Sequence, residues 1–149
     1  MTLLTLSCSS PVSTNEKELV SQKNHVIECD SALVKRLNTV GIDLKHKDFY
    51  SDAWHDYMVF SFILHNQSKK GIRAVKGRVI FCNVFGDEIH QLELSCEKEI
   101  PGCDKVKENV RMTFRPYVEK DVALKDRGLE DLEVKWLPER IIFMDNTTL

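Results

Sequence analysis

Residues 58–82 read MVFSFILHNQSKKGIRAVKGRVIFC, two apolar runs on either side of a polar loop that ends in glycine. Phe60, Phe62 and Leu64 alternate with Ser61, Ile63 and His65. A repeat of two marks a strand lying on a core, not a helix face. In the second run Val79 and Phe81 fall on one face and Ile80 and Cys82 on the other, so this strand is expected to be covered on both sides. The same period continues outward. Ile42 and Leu44 alternate with Asp43 and Lys45; Leu92, Leu94 and Cys96 with Gln91, Glu93 and Ser95; Val110, Met112 and Phe114 with Arg111, Thr113 and Arg115. Val134 and Trp136, then Ile141 and Phe143, close the series. Between the runs stand turn signals: His65 to Gly71, Phe85-Gly86-Asp87-Glu88, and Pro101-Gly102. Short strands spaced by such turns predict an all-β protein in which two sheets bury their inner faces. One interruption reads as a helix, Tyr117 to Arg127, with Pro116 before it and Gly128 after it.

The chain has 149 residues, 42% hydrophobic and 30% charged, which suits one domain with a core. Lysine plus arginine total 21 against 23 acidic residues, a formal charge of −2. A general nucleic-acid binder carries a positive excess to displace phosphate counterions, so no nucleic-acid partner is expected. No apolar run approaches the roughly 20 residues that cross a bilayer as a helix. No Gly-Lys-Ser/Thr phosphate loop, G-x-G-x-x-G, G-x-S-x-G or H-E-x-x-H pattern occurs, so neither enzyme nor cofactor is expected.

The segment Leu4-Thr5-Leu6-Ser7-Cys8-Ser9-Ser10 resembles the end of a bacterial lipoprotein signal, where a small residue precedes the cysteine that receives the lipid. That resemblance implies lipidation of Cys8, a periplasmic or cell-surface location, and a membrane anchor with no spanning helix. The polar residues after Cys8 fit a flexible tether over residues 1–37. A cytoplasmic protein with an ordinary N-terminus is the alternative. With Cys8 lipidated, Cys29, Cys82, Cys96 and Cys103 remain, an even number that suits an oxidising compartment. Cys96 and Cys103 flank Ile100-Pro101-Gly102 and are the expected disulfide; Cys82 reads as a small strand residue.

Residues 58–115 resemble the bacterial extracytoplasmic immunoglobulin-like domains of the FxLYD kind, through Asn66, Ser68, Val79 to Asn83, Gly86, Pro101-Gly102 and Phe114. The match is closer to a related, uncharacterised bacterial lipoprotein group, carried by Lys70, Ile72, Arg73, Ala74, Gly77, Phe85 and Gly86 and by Trp136, Pro138, Ile141, Phe143 and Asp145. The resemblance implies an immunoglobulin-like antiparallel β-sandwich over residues 38–149. It implies no particular activity, because such sandwiches host many roles.

Four clusters carry possible chemistry. Asp52, His55 and Asp56 offer imidazole and carboxylate groups to a divalent metal, or serve as ordinary turn caps. Nearby Tyr50, Trp54 and Tyr57 form either a stacking platform for a ligand or the closing aromatics of a sandwich end. Lys69, Lys70, Arg73, Lys76 and Arg78 place five cations in ten residues with no acid among them, an interaction patch or a solvated strand face. His25 and Cys29, four apart, lack a second pair of ligands. Asn66-Gln67-Ser68 and Asn146-Thr147-Thr148 match the glycosylation acceptor. The function expected is a non-enzymatic accessory domain that binds a protein partner in the cell envelope. A small ligand- or metal-binding module built on Asp52, His55 and Asp56 is the alternative.

Overall fold

A computed structural model describes residues 31–149. Residues 31–39 are helical (α1). Ala32, Leu33, Lys35, Arg36 and Leu37 are good helix formers, and Thr39 Oγ1 donates to the Lys35 carbonyl at 2.7 Å in the last turn. The tether expected over 1–37 therefore gives way to helix from residue 31, because individual propensities outweigh the polar average of the stretch. The earlier part of that tether lies outside the described residues.

Six strands follow: β1 (Val40–Ser51), β2 (Asp56–Asn66), β3 (Ile72–Cys82), β4 (Glu88–Cys96), β5 (Lys105–Phe114) and β6 (Glu133–Phe143). Each grows from one of the alternating segments. Between β5 and β6 lie a second helix, α2 (Glu119–Asp126), and a 3-10 turn, Leu129–Asp131. All ladders are antiparallel. The sheets run β1-β2-β5 and β4-β3-β6. This is the all-β sandwich the period of two predicts, and its strand order is that of A-B-E facing C′-C-F in an immunoglobulin sandwich. Phe60, Phe62 and Leu64 from β2 meet Val79 and Phe81 from β3 with no exposed surface, the Phe60 and Phe81 rings lying 4.9 Å apart across the layer. Each such side chain contributes about 2–3 kcal/mol of burial.

Only one face of β3 is fully covered. Lys76 and Arg78 stand in solvent on its outer face and Ile80 is half-buried. Cys82 is buried at a break in register after Phe81. The apolar content of β3 reflects its central position and not a second covering layer. Gly77 lies against β6 where a Cβ would sit 2.5 Å from the Leu137 carbonyl and 2.6 Å from the Trp136 ring. The ladder shifts register there, with Gly77 opposite Pro138. Gly77, Trp136 and Pro138 thus form one packing unit.

The connections sort into two ends. One end carries the β1–β2 and β3–β4 hairpins and the long β5–β6 crossing with α2. The opposite end carries the β2–β3 and β4–β5 crossings and the residues after β6. Among the described residues no helix is long and apolar enough to cross a membrane.

Candidate functional site

At the hairpin end α2 bridges the two sheets through polar groups. The Asp121 carboxylate, in its first turn, has no exposed surface. Arg115 donates to it from the backbone at 3.1 Å and from Nε at 3.0 Å, and His90 Nε2 of β4 lies 2.9 Å from Oδ1. Desolvation pushes this carboxyl upward, but the bonds from Arg115 and His90 prevail and hold it below its ordinary range. The other His90 nitrogen faces the Gln91 carbonyl at 2.8 Å. At the C-terminal end of α2, Lys47 of β1 donates from Nζ to the carbonyls of Leu124 (2.7 Å), Lys125 (3.0 Å) and Arg127. A cation there satisfies carbonyls that have no intrahelical partner and complements the helix dipole. Burial shifts Lys47 downward from the ordinary lysine value. Leu124 fills the remaining space in the core.

Around this plug, three loops each present one large aromatic to water. Trp54 is 87% exposed, Phe85 86% and Tyr117 84%. Each loop is fixed by its own hydrogen bonds. Asp52 Oδ1 accepts from the backbone of Trp54 (2.8 Å) and His55 (2.7 Å). Asn83 Oδ1 accepts from the backbone of Phe85 (2.9 Å) and Asp87 (3.0 Å), and Gly86 takes the positive φ of 85° that the tight turn requires. Val118 N donates to the Arg115 carbonyl at 3.0 Å, closing a turn over Pro116-Tyr117. This turn displaces the helix start expected at Tyr117 to Glu119. Sequence reasoning picked out Trp54 but missed Phe85 and Tyr117. Their signal was a large aromatic at the centre of a turn, next to Gly86 and Pro116.

The structure places Asp52, His55 and Asp56 at the β1–β2 loop without bringing them around one point. The Asp52 carboxylate is engaged by its own loop, which also lowers its pKa, and Asp56 accepts from Ser51 Oγ at 2.5 Å. Among the described residues no three His, Cys, Asp or Glu side chains converge on a possible ion. Tyr50 and Tyr57 lie 5.9 Å apart, with Arg111 over the Tyr57 ring at 4.5 Å, while Trp54 projects outward.

The basic run on β3 is paired in space. Lys70 reaches Asp145 at 2.8 Å, Lys76 reaches Glu93 at 3.3 Å, and Arg78 reaches Glu139 at 2.7 Å. Arg73 donates to Asn146 Oδ1, and Lys69 is exposed. The expected disulfide is absent. Cys96 points into the core at the end of β4, whereas Cys103 sits exposed in the following turn with φ 57°, so both are free thiols. Cys82 is also a free, buried thiol, as a small strand residue would be. Cys8, His25 and Cys29 lie outside the described residues.

Asn66, 2% exposed, is the hub of the opposite end. Its Nδ2 donates to the carbonyls of Lys70 (2.8 Å), Ile100 (3.1 Å) and Pro101 (2.9 Å), and its Oδ1 accepts from Ser68 N (3.0 Å) and Oγ (2.8 Å). The Asn66-Gln67-Ser68 match is therefore a loop-crossing brace and not a glycan acceptor, since the nitrogen is buried and engaged.

No family model and no curated protein matches the chain. It is similar to a solved structure described as the X-ray structure of Northeast Structural Genomics Consortium target SoR45, at 9% identity and a TM-score of 0.40, over 76% of this chain and 81% of that one. The strand order given above rests on this chain's own ladders.

Proposed function

We propose that this chain is a non-enzymatic protein-interaction domain of a bacterial envelope, held at a membrane through lipid on Cys8. The observation that carries the interaction reading is the trio Trp54, Phe85 and Tyr117, exposed on three braced loops at one end of the sandwich. They contribute little to the core, and three large exposed aromatics at one end of a domain support an interaction surface there. Aromatics on rigid loops supply contact area with little ordering cost on binding. The same loops and the strand starts beside them bear Asp52, Asp56, Asp87 and Glu88, which an anionic lipid surface repels and a protein with cationic groups around apolar pockets attracts. The tether rests on the Ser7-Cys8 pattern.

A photoreactive phenylalanine analogue at Phe85, in the native cell, tests the interaction. It should capture one protein, and the double variant Trp54→Ala/Tyr117→Ala should lose that capture while keeping its melting temperature. No capture, or capture indifferent to the double variant, overturns the reading. Cys8→Ser should move the protein out of the membrane fraction, which tests the tether separately.

A further inference from the structure

β5 ends its sheet, and among the described residues no strand pairs with its outer edge. The other three edges are obstructed. β1 carries a bulge between Leu44 and His46 and meets α2 through Lys47. β4 meets α2 through His90. β6 contains Pro138 beside a register shift, and its Ile141 and Phe143 bond to the backbone of Leu149 and Thr147. β5 runs 10 residues with no glycine, no proline and an unbroken ladder against β2. A long, regular, open edge is a template for strand addition.

The polarity of that edge follows from one contact. Lys98 Nζ donates to the Lys107 carbonyl at 3.1 Å, so this carbonyl points away from β2; the exposed Lys98 side chain is what an added strand displaces from the edge. By antiparallel alternation the backbone groups of Asn109, Arg111 and Thr113 point the same way. The side chains divide as sharply. Lys105, Lys107 and Arg111 are exposed on the outer face, Arg111 also lying over the Tyr57 ring, while Val106, Val110 and Met112 lie half-buried on the inner face beside Glu108, whose charge is met by Lys98. The paired cations of β3 have cross-strand acids; among the described residues none of these three β5 cations has an ion pair.

We propose that the outer edge of β5 accepts an extended peptide as an added strand, one whose alternate side chains are acidic and apolar. The acids meet Lys105, Lys107 and Arg111, and the apolar residues complete the cover over Val106, Val110 and Met112. The added strand takes the place of the fourth strand in a constant-type immunoglobulin sheet, a position the architecture accommodates. Charge selects this occupant over a second copy of the chain, because pairing β5 with itself gathers six cations on one continuous face. The surface lies along the side of the sandwich and is independent of the aromatic end.

The test uses the full chain and a capped nine-residue peptide of alternating glutamate and valine. Binding should slow hydrogen exchange at the Asn109 and Arg111 amides. A peptide with lysine in place of every glutamate should bind about tenfold more weakly, as expected for two or three exposed charge pairs. N-methylation of every second peptide amide should abolish binding. The variant Lys107→Glu/Arg111→Glu should reverse the preference between the two peptides; an unfolded variant would bind neither, so circular dichroism accompanies the titration. The proposal is overturned by no binding of the glutamate peptide, by equal binding of both peptides, by protection at β4 or β6 instead, or by a peptide-independent dimer with protected β5 amides.

Discussion

Removing the amide of Asn66 tests whether the opposite end of the sandwich is held as described. The side chain makes three donated and two accepted contacts within one buried site. Each carbonyl it serves has a second donor: Ser68 Oγ for Lys70, Ile72 N for Ile100, and Asp104 N for Pro101. Asn66→Ala therefore leaves no carbonyl without a partner and strips only the part-buried Ser68 amide, so the loss is about 2–3 kcal/mol with a fall in Tm of about 10 °C. Asn66→Asp is the sharper probe, because it keeps the shape and turns a carboxylate oxygen toward three carbonyl oxygens. That environment raises the introduced carboxyl's folded-state pKa above its unfolded value of about 3.9. The destabilisation is then full above the folded pKa and is relieved as pH falls through it, when the protonated oxygen donates again. Thermal unfolding of the parent and both variants between pH 4 and pH 7 measures this. An Asn66→Ala variant within about 0.5 kcal/mol of the parent, a shift too small for even one such bond, refutes the brace. An Asn66→Asp deficit equal at both pH values refutes the role of the carbonyls.

Lys47→Met should cost about 1–2 kcal/mol by stripping three α2 carbonyls of their donor, with faster amide exchange in α2 as the local readout. Asp121 has a depressed carboxyl, so its contribution is present above the ordinary carboxylate range and fades as pH falls through the lower folded value. Asp121→Asn should cost about 2 kcal/mol near neutrality, below the usual figure for a broken buried pair because Arg115 is half-exposed, and should flatten the acid limb of a stability–pH curve. Gly77→Ala forces a methyl group against the Leu137 carbonyl and the Trp136 ring, so urea titration should show a loss of about 1–3 kcal/mol together with altered tryptophan emission.

The strands were legible because each buries one face locally, and a period of two survives in the sequence whatever lies across from it. The ends were not, because their contacts join residues far apart. Asn66 meets Ile100 and Pro101, and Lys47 meets the end of α2. Nothing near either residue announces its partner. The pairing of the basic run from Lys69 to Arg78 was hidden for the same reason: in sequence it has no acid, yet Glu93, Glu139 and Asp145 arrive from β4 and from β6 and the turn after it. The cations of β5 went unnoticed because Glu108 interrupts them in sequence while lying on the opposite face, paired with Lys98 at 3.0 Å. At the β1–β2 loop the ambiguity is chemical. A carboxylate two and three residues before the amides it caps looks like a ligand and behaves as a turn.

The sandwich closes its two ends with different chemistry, and this separates stability from binding. The Asn66 brace is neutral and is unaffected by pH through the physiological range. The α2 plug contains the Asp121 carboxylate, so acid below the ordinary carboxylate range loosens this end and leaves the Asn66 brace untouched. With both ends sealed by polar networks behind the loops, the tips at residues 54, 85 and 117 carry no packing duty and are free to bear aromatics. A fold that needed those rings would bury them. Their exposure beside the plug is the observation on which the proposed interaction rests, and it is why their substitution should leave the melting temperature where it stands.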